Sequence, residues 1–140
     1  MDFVANLILR RLRWAYWPRE IYRYYTRASV LRAVPCPNFI PELTRGRDPD
    51  AYDAYNQGRV LFMYRVLMGG GTLDPIDVEV GRTCIVTMRV HVTDGHHRLM
   101  AHYFAKASTL RAVYSGPLEI LDWLTGKQKN RPENLVTNHD

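Results

Sequence analysis

Cysteine is scarce in this chain: Cys36 and Cys84 are the only two among 140 residues. That is too few for a disulfide framework, and their separation is not that of a metal-binding knuckle. Lysine is rare as well, three residues against sixteen arginines. Because that bias runs along the whole chain, it fits a compositional origin as readily as a binding one. No apolar run approaches the roughly 18–20 residues that cross a bilayer. The short apolar stretch Phe3–Leu9 is followed, not preceded, by arginines, the reverse of a signal peptide. These absences point to a protein of a reducing compartment, expected in the cytoplasm. Internal repeats and low-complexity tracts are absent too.

What is present suits one ordinary packed domain. The chain is 46% hydrophobic and 24% charged, a balance that favours a core over disorder. The formal net charge of +5 is concentrated in the first quarter. Residues 1–32 carry seven arginines against Asp2 and Glu20, and the remainder is neutral.

Read along the chain, residues 1–28 predict one helix or two short ones, a basic aromatic extension punctuated by Pro18. Val4, Leu7, Ile8, Leu12, Ala15 and Tyr16 fall at helical spacing. Ser29–Val34 reads as a short strand ending at Pro35-Cys36-Pro37-Asn38. Residues 41–53 are turn-rich, and Tyr52–Met68 has helical periodicity stopped by Gly69-Gly70-Gly71. The period then changes to two. Pro75–Val80 predicts a strand, Gly81-Arg82 a turn, and Cys84, Val86, Met88, Val90 and Val92 the apolar face of a second strand. Cys84 reads there as a core residue. A helix is expected over His96–Ala105, a strand over Leu110–Tyr114 and a short helix over residues 118–126. The tail from Lys127 reads as polar and loose. The expected fold is therefore α+β: a short mixed sheet with helices over residues 29–126, preceded by the helical extension.

The chemistry-bearing stretch is Thr93-Asp94-Gly95-His96-His97-Arg98, where a strand gives way to a helix. The first amides of a helix lack intrahelical acceptors and carry a partial positive charge, so they form a ready anion site. Gly95 allows close approach to the main chain. Arg98 adds a forked donor, and His96 and His97 add donors or a proton-transfer group. Asp94 can cap the helix, or face a divalent cation or a substrate hydroxyl. The plain alternative is an Asp-Gly turn with its neighbours in solvent.

The string Asp94-Gly95-His96-His97-Arg98, followed by Leu99-Met100-Ala101, resembles the signature of the ParB/sulfiredoxin superfamily. ParB-type nucleotide-binding domains carry Gly-Glu-Arg-Arg there and sulfiredoxins Gly-Cys-His-Arg. The spelling here is nearest to the free-serine kinases and their relatives. The glycines before Leu73-Asp74-Pro75-Ile76, the strand Leu110–Tyr114 and, weakly, Val34-Pro35-Cys36-Pro37-Asn38 extend the likeness over residues 29–115. The resemblance implies a ParB/sulfiredoxin-like domain that binds a nucleotide (ATP, ADP or CTP) with Mg²⁺. Its phosphates would rest on Gly95, His96, His97 and Arg98, with Gly71 and Thr72 lining the pocket. It further implies phosphoryl transfer or nucleotide hydrolysis, with Asp94 or Glu42 as base and His97 stabilising charge. Asp48 and Asp50 stand behind Glu42. His96 occupies the position of the sulfiredoxin cysteine, which excludes sulfinic-acid reduction.

Metal ligation by histidine is not expected, because His-x-x-x-His spacing is absent. His102 shares a helical face with Arg98 and reads as a packing residue. The arginines Arg10, Arg11, Arg13, Arg19 and Arg23, interleaved with Phe3, Trp14, Tyr16, Trp17, Tyr22, Tyr24 and Tyr25, suit single-stranded nucleic acid. They equally suit a protein partner, a second copy in a homodimer, or simple packing with solvated arginines; a membrane surface suits them less. The alternative function is thus a non-catalytic DNA- or protein-binding module acting through residues 1–28.

Overall fold

The computed structural model describes residues 2–19, 25–43, 46–82 and 86–139. It has an α+β architecture whose chain forms two compact units. The first comprises Met1–Arg23, Asp74–His96 and Ala107–Asp140; the second comprises Tyr24–Leu73 and His97–Lys106. The elements differ from the expectation at the N-terminus and in the tail, and the helices and strands expected between residues 49 and 126 are present with shifted bounds.

The first unit is organised by a five-stranded mixed sheet. Its strands are β1 (Asp2–Ile8), β3 (Ile76–Arg82), β4 (Met88–Asp94), β5 (Thr109–Ser115) and β6 (Leu135–Val136), in the order β1-β5-β3-β4-β6. β5 pairs antiparallel with β1 and parallel with β3; β3 and β4 form an antiparallel hairpin, and β6 runs parallel to β4. Between β1 and β3 lie α1 (Leu9–Ala15) and the two-residue β2 (Tyr16–Trp17), which pairs in parallel with β7 (Asn138–His139). Helix α5 (Leu118–Thr125) follows β5 and contacts β1, while α1 contacts β1 and β4.

Period-two alternation sets the two sheet faces. Leu7, Ile76, Val78, Val90, Val92, Leu110, Ala112 and Tyr114 are buried, as are Leu9 and Leu12 of α1 and Ile120, Leu121 and Leu124 of α5. Each large aliphatic side chain removed from water here stabilises the fold by about 1.5–3 kcal/mol. The opposite positions include Asp77, Glu79, Thr93, Val113 and Ser115, which with Asp2 and Val78 line an acidic hollow of about 300 Å³.

Asp2–Ile8, expected to be helical, is a strand. The spacing of Val4, Leu7 and Ile8 satisfies a helix over so short a run, but seven consecutive residues register with Ser115–Thr109. Long-range pairing therefore overrides the local period. The helical expectation holds only from Leu9. Arg11 Nη1 donates to the carbonyls of Trp123 (2.6 Å) and Gln128 (2.9 Å), at and just past the end of α5, and its guanidinium lies over the Trp123 ring. Trp123 O also accepts the cap N–H of Gly126, so Arg11 adds a second donor at this helix end. The tail is not loose either. Leu135 and Asn138 are buried, and Asn138 Nδ2 donates to Val90 O and His91 Nδ1. The β3–β4 connection comes later than Gly81-Arg82, because β3 continues through Arg82, which pairs with Met88.

The second unit contains α2 (Arg27–Leu31), α3 (Pro49–Met68) and most of α4 (His96–Phe104). Residues 29–34, expected as a strand, begin inside α2. Thr26 and Ser29 form a reciprocal cap, each accepting from the other's backbone N–H at 3.0 Å. The cap outweighs the β-branched run that follows. Asp48 caps α3 by accepting from Ala51 N–H, with Pro49 at the first helical position. The segment after α2 lies along α3. Cys36 N–H donates to Gly58 O, Ile40 N–H to the Tyr55 hydroxyl, and Arg59 Nη1 to the carbonyls of Cys36 and Pro37. The core expectation for Cys84 lies outside the described residues.

Gly58 shows why this packing constrains the sequence. A Cβ there would sit 2.3 Å from Val34 O. Helix propensity alone favours alanine over glycine by about 1 kcal/mol. The close backbone approach reverses that sign, so Gly58→Ala is expected to lower stability by about 1–3 kcal/mol in denaturant unfolding. A stabilised variant would mean that the 34–36 segment does not rest on α3.

Candidate functional site: the turn from β4 into α4

β4 ends at Asp94, and α4 starts at His96. Gly95 between them has φ +98°, a region that residues with a Cβ rarely adopt. Gly95 immediately precedes the helix, and Asp94 stands one residue before it. Asp94 is exposed and is in register with Asp77 across the β3–β4 ladder, beside a register shift at Asp77/Val78. Two carboxylates thus share one strand end.

His96 and His97 are half-buried, and their rings are held by different partners. In the first unit, His96 Nε2 lies 2.7 Å from the Tyr16 hydroxyl, with the two rings 5.9 Å apart. Tyr16 is itself buried and placed by the β2–β7 pairing, where it stands opposite Asn138. In the second unit, His97 Nε2 lies 2.7 Å from Asn56 Oδ1, and its ring meets Tyr55 edge-on at 5.8 Å. An amide oxygen only accepts, so Nε2 of His97 carries the hydrogen and Nδ1 holds the lone pair in the neutral ring. Asn56 is buried, and among the described residues its Nδ2 meets no acceptor in strict hydrogen-bond geometry. The Tyr25 hydroxyl is the polar group on which that amide acts. Burial first, and Asp53 second, push the Tyr25 phenol above its ordinary range, so it stays protonated and donates to Asp53 at 3.0 Å.

Other expected residues have local duties. Gly71 N–H donates to Val66 O at 2.9 Å, closing the C-terminus of α3 after Gly70, whose φ is +85°. That amide is engaged by the protein's own chain. Thr72 is exposed, and Glu42 lies in an exposed turn before α3. Asp48 serves as a helix cap, as above, and Asp50 is exposed in the first turn of α3. Arg98 is half-buried in the first turn of α4, and its carbonyl accepts from His102 Nδ1 at 2.7 Å.

Of the arginines expected to meet nucleic acid, Arg10, Arg13 and Arg19 are exposed, and Arg13 lies 4.9 Å over the Trp17 ring. Arg11 is engaged as described, and Arg23 lies outside the described residues, with Tyr22 and Tyr24. Tyr16 and Trp17 are buried. Trp14 is sandwiched within the first unit, edge-on to Trp123 at 5.9 Å and beneath Arg131 at 3.8 Å. Sequence reading missed Tyr16, Asn56 and Tyr55 as the residues that orient the imidazoles. Their separation from the motif leaves no local signal.

Comparison with protein-family models, curated proteins and solved structures finds no match for the chain. What defines the protein is thus its α+β fold with a five-stranded mixed sheet. Among the described residues, no helix is long and apolar enough to cross a membrane.

His102 gives a pH signature. Burial is the main cause that lowers its pKa from the ordinary imidazole value, and the Arg98 charge adds to it, against the raising effect of the bond to Arg98 O. The unfolded chain therefore binds the proton more tightly, so stability is retained above about pH 6.5 and falls as the pH drops below it. Urea unfolding of wild type and His102→Gln between pH 7 and 5 should show a steeper loss in wild type. Equal slopes would contradict this assignment.

Proposed function

We propose that the protein binds a nucleotide through its phosphates at the first turn of α4. The observation that carries this reading is the junction itself. Gly95 at φ +98° turns β4 directly into a nine-residue helix that opens His-His-Arg. A helix start presents main-chain donors and a positive dipole end to an anion. The bonds to Tyr16 and Asn56 hold the two imidazoles in defined orientations.

Asp94 and Asp77, in register at the strand end, fit a Mg²⁺ that arrives with the nucleotide. Mg²⁺ commonly takes one or two carboxylates, with phosphate and water oxygens completing its octahedron. Phosphoryl transfer or nucleotide hydrolysis is the activity this reading allows, with Asp94 or Glu42 as base. In such chemistry the protein chiefly positions and neutralises phosphates.

Thermal unfolding with ATP, ADP or CTP plus Mg²⁺ tests the proposal. At a nucleotide concentration near 100 times Kd, binding to the folded state alone should add about 2.7 kcal/mol of stability. Arg98→Ala should remove most of that increment. No rise with any of the three nucleotides would refute the reading.

A second reading is favoured by one observation: Arg10 and Arg13 of α1 and Arg19 beyond it are exposed. They could dock a polyanion such as single-stranded DNA. Deleting residues 1–28 would remove β1 and β2, so point variants are the proper test. Binding in a gel shift should weaken with salt and be lost in the triple variant Arg10→Ala, Arg13→Ala, Arg19→Ala. Absence of any shift at low salt would end this reading.

A further inference from the structure

The second unit contains a cavity of about 450 Å³ that the nucleotide reading does not use, lined by Tyr25, Thr26, Arg27, Tyr103, Phe104 and Lys106. Its volume is that of a small-molecule site. Its lining divides by chemistry. Phe104 is buried, Tyr25 and Tyr103 are half-buried, and Arg27 and Lys106 are exposed. The Tyr103 and Phe104 rings lie 5.4 Å apart and are tilted by 55°, giving two differently inclined apolar walls. The Tyr25 hydroxyl donates to Asp53, which anchors the third ring.

Both cations are placed by the fold. The Arg27 guanidinium lies over the Tyr64 ring at 5.5 Å, and Nη2 donates to the Tyr64 hydroxyl at 2.6 Å. That bond uses one of five guanidinium N–H donors. Lys106 has φ +57°, the only positive value outside glycine among the described residues. It stands just past the end of α4, and its N–H donates to Tyr103 O. Helices commonly place glycine at such a left-handed position. A lysine that keeps this conformation leaves an ammonium at the cavity instead. Among the described residues, no carboxylate lines the cavity.

We propose that this cavity binds a small planar aromatic anion, its ring against Tyr25, Tyr103 and Phe104 and its carboxylate or phosphate at Arg27 and Lys106. The rings supply apolar area, and the two cations select charge. The site is independent of the first turn of α4.

Titrations followed by NMR with 1-naphthoate, 1-naphthyl phosphate and uncharged 1-naphthalenemethanol test it. At least one anion should bind about tenfold more tightly than the alcohol, and the two anions show whether carboxylate or phosphate is preferred. Lys106→Gln should weaken the anions several-fold and leave the alcohol unchanged. Lys106→Gly relieves the left-handed backbone, so it should lose anion affinity without any fall in Tm, which separates lost binding from lost folding. Arg98→Ala should leave naphthoate affinity intact, whatever becomes of nucleotide binding. Equal affinity for all three probes, no binding of either anion, or undiminished anion binding in Lys106→Gln would overturn the proposal.

Discussion

β5 is the strand on which the first unit turns. It is paired on both sides, antiparallel with β1 over Asp2–Ile8 and parallel with β3 over Ile76–Glu79. The ladder continues one step beyond β1, where Leu9 N–H donates to Ser108 O at 2.9 Å. Through it, the first residues of the chain become an edge of the sheet instead of a separate extension. α1 is thereby set so that Arg11 reaches the end of α5 and Tyr16 enters β2. Removing this pairing would undo both the sheet and the placement of His96, because Tyr16 is the partner of its ring.

Much of the fold from residue 49 onward could be read from residue order. The long apolar period ended by three glycines, the alternation of Ile76–Val80 and the change of period after Gly95 each produced the element expected. These signals are local: a cap, a glycine stop or a two-residue alternation needs no distant partner. The errors have the opposite character. Asp2–Ile8 became a strand because of β5, more than a hundred residues away in sequence. The tail became ordered because Asn138 bonds to Val90 and His91 on β4. Residues 29–31 are helical for a local reason, the reciprocal Thr26–Ser29 cap.

The candidate site was legible in the same uneven way. Gly95 stands out in the sequence for its conformational freedom, and its φ of +98° uses that freedom. Asp94, His96, His97 and Arg98 follow one another around the turn, so their proximity comes with the chain. The supports of the imidazoles did not. Tyr16 and Asn56 are brought to His96 and His97 by tertiary structure, and neither belongs to a motif. The glycines after α3 illustrate a further ambiguity, because a helix stop and a phosphate loop share one composition; Gly71 closes the helix with its own N–H. The sheet hollow bounded by Asp2, Asp77 and Glu79 carries acidic side chains, which disfavours anions there.

On the proposed reading, the main-chain donors opening α4 receive nucleotide phosphates. An amide-resolved NMR titration with Mg²⁺ and ATP, ADP or CTP tests it most directly. Saturable shifts centred on the amides of Gly95, His96, His97 and Arg98 are expected with the nucleotide that binds. Saturable shifts confined to other parts of the chain, or none with any of the three, would contradict it.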